Sequence, residues 1–160
     1  MSHTTQRVKV VSESLAHTRD IATGIVALLK NVSLPGARVV LLRGELGSGK
    51  TSFVSAVLRA LGMRVRSASP TFVIIKRYRL SKKYTKNKIQ HIDNVYHLDA
   101  YRLSKKDDLA TLGVGEILKN RHNLVFVEWP ERVKGMRWPA ILTLSFQHGK
   151  KENERIITIS

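Results

Sequence analysis

The sequence contains no cysteine, which removes disulfides and thiolate metal sites, so any chemistry must come from other groups. Acids are few: 12 Asp and Glu stand against 28 Lys and Arg in 160 residues, a formal charge of +16. So small a set of carboxylates makes the search for metal ligands and bases short. The positive excess reads either as a basic bias shared by the whole proteome or as a match to polyanionic partners, whether nucleotide, RNA or an acidic protein surface. No apolar run approaches the ~20 residues of a membrane span, and no signal-peptide core is legible near the first residues. The expectation is a cytoplasmic chain with no membrane association. No repeat or linker divides it, so one domain over 1–160 is expected.

Three of the ten glycines fall in Gly44-Glu45-Leu46-Gly47-Ser48-Gly49-Lys50-Thr51. This is Gly, four residues, then Gly-Lys-Thr, the spacing of a phosphate-binding loop. A loop wrapped around phosphates turns its backbone N–H groups inward, which needs glycine where a Cβ would collide. The helix that follows adds free N–H groups and the positive end of its dipole. Lys50 can then reach the outer phosphates, and the Thr51 hydroxyl can ligate Mg²⁺. The flanks agree with that reading. Arg38–Arg43 reads as a buried strand leading in, and Phe53, Val54, Val57, Leu58 and Leu61 form a helical stripe ended by Gly62.

Around this centre the chain alternates. Residues 7–11 read as a first strand. Ser12 or Ser14 caps a helix whose apolar face is Leu15, Ile21, Ala22, Ile25, Leu28 and Leu29. Ser67–Thr71 is a loop containing Pro70. Phe72–Leu80 and one or two strands within 89–103 suggest an antiparallel hairpin beside the main sheet. A short helix over 107–118 is expected to break at Gly113 and Gly115. Asn123–Glu128 is an apolar run ending in an acid, and 140–146 with 155–159 read as a closing hairpin. Strands mixed with helices around a phosphate loop give a three-layer α/β P-loop NTPase domain with a mixed sheet.

A P-loop enzyme needs a second carboxylate near Mg²⁺, usually at the end of an apolar strand beside the loop's own strand. Glu128, after Leu124-Val125-Phe126-Val127, fits that description. Asp93 and Asp99 are the other placed acids. Strand alternation puts His97, Asp99 and Tyr101 on one face, and a face with that composition is expected to be functional or solvent-facing rather than packed core. Between Glu45 and Asp93 there is no acid and there are eleven Lys or Arg, seven of them from Lys76 to Lys88. That run reads either as a solvated hairpin or as a patch facing RNA or a partner.

Four blocks in this order carry a family resemblance: Gly44–Thr51, Ser69-Pro70-Thr71-Phe72, His97-Leu98-Asp99-Ala100-Tyr101-Arg102-Leu103 and Val127-Glu128-Trp129-Pro130-Glu131. Together they resemble the TsaE (YjeE) ATPases of bacterial tRNA threonylcarbamoyladenosine biosynthesis, over about Ser12 to Val133. Ser14-Leu15-Ala16-His17-Thr18 resembles that family's helix start, with His17 where Glu is usual. Glu45 stands where Asp is more usual, and the segment between Phe72 and His97 is longer and more basic than the family pattern.

The resemblance implies that Thr18 touches the nucleotide and that Gly47, Ser48, Gly49, Lys50, Thr51 and Ser52 wrap its phosphates. It implies that Thr51 and Glu128 hold Mg²⁺, that Ser69-Pro70-Thr71 is a mobile loop, and that Asp99 orients or activates the water. Trp129 would pack near the nucleotide or a partner surface. Arg102 would either stabilise charge or anchor Asp99. The implied activity is ATP hydrolysis that sustains a tRNA-modifying complex. The implied partners are the transferase subunit TsaD and its companion TsaB, with tRNA close by. The basic segment 64–88 is a candidate tRNA contact. Two other readings stand beside this one: a small-molecule P-loop kinase, and an ATP-gated RNA-binding module whose tRNA affinity would fall steeply with salt and on neutralising Lys82, Lys83, Lys86 and Lys88.

Overall fold

In a computed structural model, residues 7–65, 74–80 and 91–160 are described. Seven strands form one sheet in the order β1-β7-β6-β2-β5-β4-β3. They are β1 (Val8–Ser12), β2 (Arg38–Gly44), β3 (Ile75–Arg79), β4 (Asn94–Asp99), β5 (Asn123–Glu128), β6 (Ala140–His148) and β7 (Arg155–Ile159). The four central strands run parallel, β2 pairing with both β5 and β6, and β4 with β5. The outer strands β1, β7 and β3 pair antiparallel. Val39-Val40-Leu41-Leu42 and Leu124-Val125-Phe126-Val127 are buried throughout, as expected of parallel strands covered on both faces.

Helices supply the two coverings. On one face α1 (Leu15–Lys30) and α2 (Lys50–Ala60) pack over Val40, Leu42, Val95, Leu124, Phe126, Leu144 and Ile157. On the other, α3 (Lys106–Thr111) and α4 (Val114–Lys119) bring Leu109 and Val114 against Val39, Leu41, Leu98, Val125 and Val127. The sheet is thus the middle of three layers. Phe53 of α2 meets Phe146 of β6 edge to face, with ring centroids 5.6 Å apart. Burying each such ring contributes about 1.5–3 kcal/mol.

Most expected elements are present, including the β3–β4 hairpin and the closing β6–β7 hairpin. Two details differ. In α1 the buried stripe is Thr18, Ala22, Ile25, Val26 and Leu29, whereas Leu15 and Leu28 are 66% and 60% exposed. Leu28 falls off the centre of the stripe at ~100° per residue, and Leu15, at the helix's first residue, overhangs a cavity instead of the core. The break between α3 and α4 is made by Gly113 alone, at φ +67, while Gly115 lies inside α4. Among the described residues 91–103 there is one strand, β4, within the one or two expected. The expected Ser67–Thr71 loop, the start of the expected Phe72–Leu80 strand at 72–73, and residues 81–90 of the basic hairpin lie outside the described residues.

Parallel order gives β2, β4 and β5 a common C-terminal end. Open α/β sheets bind ligands at that end, and it is where Gly44, Asp99 and Glu128 stand.

Candidate functional site

The loop from Gly44 to Lys50 joins β2 to α2 in a conformation that its glycines permit. Gly44 has φ +138, and a Cβ there would run into the Phe146 carbonyl oxygen of the neighbouring strand. Gly49 has φ +104 and is the N-cap of α2, with no side chain capping the helix. The first-turn N–H groups of α2 are therefore left to the loop's concave side. Ser48 is fully buried, its N–H donating to the Glu45 carbonyl at 3.2 Å.

Lys50 is 4% exposed. Its Nζ donates to the carbonyls of Gly44 at 2.7 Å and Glu45 at 2.8 Å, and lies 3.9 Å from the centroid of the Trp129 ring. Burial pushes the ammonium below its usual pKa, opposed by the charges of Glu128, Glu131 and Asp99. Trp129 holds its ring there from an unusual backbone. Its φ of +57 is left-handed, a conformation costing a non-glycine residue about 1–3 kcal/mol. The Trp129 N–H donates to the Leu42 carbonyl at 3.2 Å, and the ring meets Tyr101 edge to face at 5.1 Å.

Beside the lysine, the Thr51 hydroxyl donates to Glu128 Oε1 at 2.8 Å, and His97 Nε2 lies 2.6 Å from the same oxygen. Glu128 is 3% and His97 1% exposed. Asp99 is paired with Glu128 across β4 and β5, is buried, and accepts the Tyr101 N–H on Oδ1 at 3.0 Å. The polar face carrying His97 and Asp99 is thus packed core rather than solvent-facing. It tolerates burial because its polar atoms are hydrogen-bonded, His97 with Glu128 and Asp99 with the Tyr101 N–H. Tyr101 lies past the end of β4, half exposed.

The other flank of the loop opens on a cavity of about 450 Å³. Gly47, Ser48, Gly49 and Ser52 line it, together with Thr18 from α1. Thr18 Oγ1 lies 2.8 Å from Ser12 Oγ and donates to the Ser14 carbonyl at 3.2 Å. The first turn of α1, capped by Ser14, therefore presents Thr18 to the loop. The sequence reading had not selected three further lining residues, Phe146, Asn153 and Arg155. Arg155 Nη2 approaches the Gly47 carbonyl at 3.5 Å. Only the strand order could have found it: β6 lies beside β2, and β7 beside β6.

All the predicted site residues therefore gather around one loop. Thr18, Gly47, Ser48, Gly49 and Ser52 face the cavity, while Lys50, Thr51, Glu128 and Asp99 converge at the strand ends. The donors suit Mg²⁺: a hydroxyl and a carboxylate are hard oxygen ligands. Among the described residues no three His, Cys, Asp or Glu form a metal cluster. Among those residues also, no helix is long and apolar enough to cross a membrane.

Comparison with known proteins shows the family and the fold. The family model described as "Threonylcarbamoyl adenosine biosynthesis protein TsaE" matches residues 12–157. A protein of Aquifex aeolicus named tRNA threonylcarbamoyladenosine biosynthesis protein TsaE is 35% identical over 128 residues, 79% of each chain. One of the same name from Rickettsia felis is 32% identical over 135 residues, 84% of this chain and 71% of its own. In fold, the crystal structure of Bacillus subtilis YdiB superposes with a TM-score of 0.65 at 24% identity, covering 99% of this chain and 87% of that one.

Proposed function

The chain belongs to the TsaE family, and from that premise we propose that it is a Mg²⁺-dependent ATPase serving threonylcarbamoyladenosine modification of tRNA. The observation that carries this reading is the meeting of Thr51 and Glu128 within 2.8 Å at the end of the phosphate loop, beside Lys50. A P-loop hydroxyl and a strand-end carboxylate are the protein ligands such a reaction requires. Bound between them and the phosphates, Mg²⁺ would supply neutralisation of the charge on the β- and γ-phosphate oxygens.

The chain's own residues divide the remaining work. Backbone N–H groups of Gly47 to Ser52 cradle the phosphates, and Lys50 exchanges its carbonyl partners for phosphate oxygens. Thr18, Leu15, Phe146 and Arg155 border the cavity that receives the nucleoside. Asp99, in register with Glu128, orients the attacking water. Positioning and charge neutralisation supply most of the catalysis in reactions of this class.

The role in a tRNA-modifying system implies work in the cytoplasm with the transferase subunit TsaD and its companion TsaB. Contact with tRNA through segment 64–88 is supported by the exposed Lys76, Arg77 and Arg79 of edge strand β3. The test is ATP hydrolysis by this chain, alone and with both partners and tRNA. Stimulated release of inorganic phosphate is expected, and Lys50→Ala should abolish it. Phosphate appearing on an added small acceptor would favour a kinase, and an unimpaired Lys50→Ala variant would overturn the mechanism.

A further inference from the structure

His97 is a buried polar group at the loop that the proposed mechanism does not use. At 1% exposure an imidazole costs free energy unless it is hydrogen-bonded, and an aliphatic side chain would fill a parallel strand at lower cost. Its partner is Glu128 Oε1, 2.6 Å from Nε2. An ionised carboxylate can only accept, so Nε2 carries the proton and donates it.

The contact is built by strand register. His97 stands opposite Phe126, and Asp99 opposite Glu128, so His97 and Glu128 are diagonal neighbours on one face. Diagonal neighbours meet only through long side chains. With Thr51 donating from α2, Oε1 is held from two elements. No hydrogen bond reaches Oε2 from the described residues.

We propose that His97 is a positioning residue for metal binding: its Nε2–H fixes the rotation of the Glu128 carboxylate so that Oε2 is presented to the cation. The inference rests on the reading above, that Glu128 and Thr51 take Mg²⁺. Groups that hydrogen-bond a ligating carboxylate set its orientation, and losing one typically costs 10–100-fold in metal affinity. The plainer reading is that His97 only relieves the burial of Glu128, a matter of stability alone. The two differ in whether His97 moves the coupling between metal and nucleotide.

The experiment is calorimetric binding of ADP to the full chain, once with excess MgCl₂ and once with EDTA. The ratio of the two dissociation constants measures that coupling, and no turnover is involved. Glu128→Gln tests the underlying reading and should bring the ratio close to one. A wild-type ratio already near one, or an unchanged ratio in Glu128→Gln, overturns that reading and this inference with it.

Given a Glu128 effect, His97→Phe is expected to lower the ratio about tenfold while leaving ADP affinity in EDTA unchanged. His97→Gln, whose amide can donate from the same reach, should restore it to within about threefold. In the Glu128→Gln background, His97→Phe should change the ratio no further, because the two act as one unit. An unchanged ratio in His97→Phe overturns the inference. So does equal weakening in MgCl₂ and EDTA, or an effect that persists in the Glu128→Gln background. Should Phe prevent folding, His97→Asn, too short to reach Oε1, takes its place with the same expectations.

Discussion

Thr51 and Glu128 are separated by 77 positions in sequence, yet the hydroxyl of one donates to the carboxylate of the other at 2.8 Å. Parallel pairing of β2 with β5 makes the contact, because it sets Glu128 opposite Leu42, at the mouth of the loop that leads to Thr51. Thr51→Ala is expected to leave the fold intact and lower Mg²⁺-dependent ATP hydrolysis by at least tenfold. Thr51→Ser, which keeps the hydroxyl, should retain most of it. Steady-state phosphate release for the three proteins checks this.

Lys50 and Trp129 should be energetically coupled. The ammonium stands over the indole at 3.9 Å, and a partly desolvated pair of this kind contributes about 0.5–2 kcal/mol. A double-mutant cycle on unfolding, with Lys50→Met and Trp129→Leu, is expected to return coupling of that size. Additive effects would show that the contact has no energetic weight.

Asp99→Asn separates binding from chemistry. The amide retains an oxygen for the Tyr101 N–H that Asp99 Oδ1 accepts, so the turn after β4 is preserved. ATP affinity should stay within about threefold, a loss below 1 kcal/mol. Turnover should fall by at least tenfold. Equal loss of both, measured by calorimetry and phosphate release, would make Asp99 a structural residue.

Gly44→Ala should cost stability as well as nucleotide binding. Its φ of +138 strains any L side chain, and the new methyl would meet the Phe146 carbonyl oxygen of β6. Backbone on a central strand cannot swing aside as a surface side chain can. Destabilisation of at least about 1–3 kcal/mol is expected in urea unfolding, while Gly115→Ala, with open space around it inside α4, should be neutral or stabilising.

One pH dependence follows from the cap of α3. Asp108 Oδ2 accepts the N–H groups of Ser104 and Lys105. The Ser104 bond, then the Lys105 bond, holds the carboxyl below the ordinary 3.8. A carboxyl lowered on folding stabilises the fold above its unfolded pKa and loses that contribution as pH falls through the folded one. The Ser104 and Lys105 amide resonances should therefore stay in place down to pH 3.8 and shift below it. Asp108→Asn should remove the transition.

The local sequence was sufficient for much of this. A phosphate loop is a property of contiguous residues, so Gly44 to Thr51 and the stripe of α2 are legible without a fold. Glu128 was legible for a similar reason, since an apolar run that stops at an acid identifies a strand end wherever the strand lies. Alternation also placed His97 and Asp99 on one face. It could not say that the face is buried, because burial depends on which helix lies above it. The same limit misjudged Leu15, whose direction the period fixes although a cavity lies beneath it, while Leu28 lies off the centre of the buried stripe.

What the sequence determined by itself is the chemistry available: a phosphate loop, few carboxylates, and strand ends at which to put them. What only the tertiary structure decided is which groups touch. Strand order carried Arg155 to the wall of the cavity beside Gly47, and the register of β4 on β5 brought His97 to Glu128. Those contacts are set by pairings between segments far apart in the chain, and backbone hydrogen bonds between strands are indifferent to side-chain identity. A pattern of residue types alone therefore leaves the partners of each side chain open until the sheet is assembled.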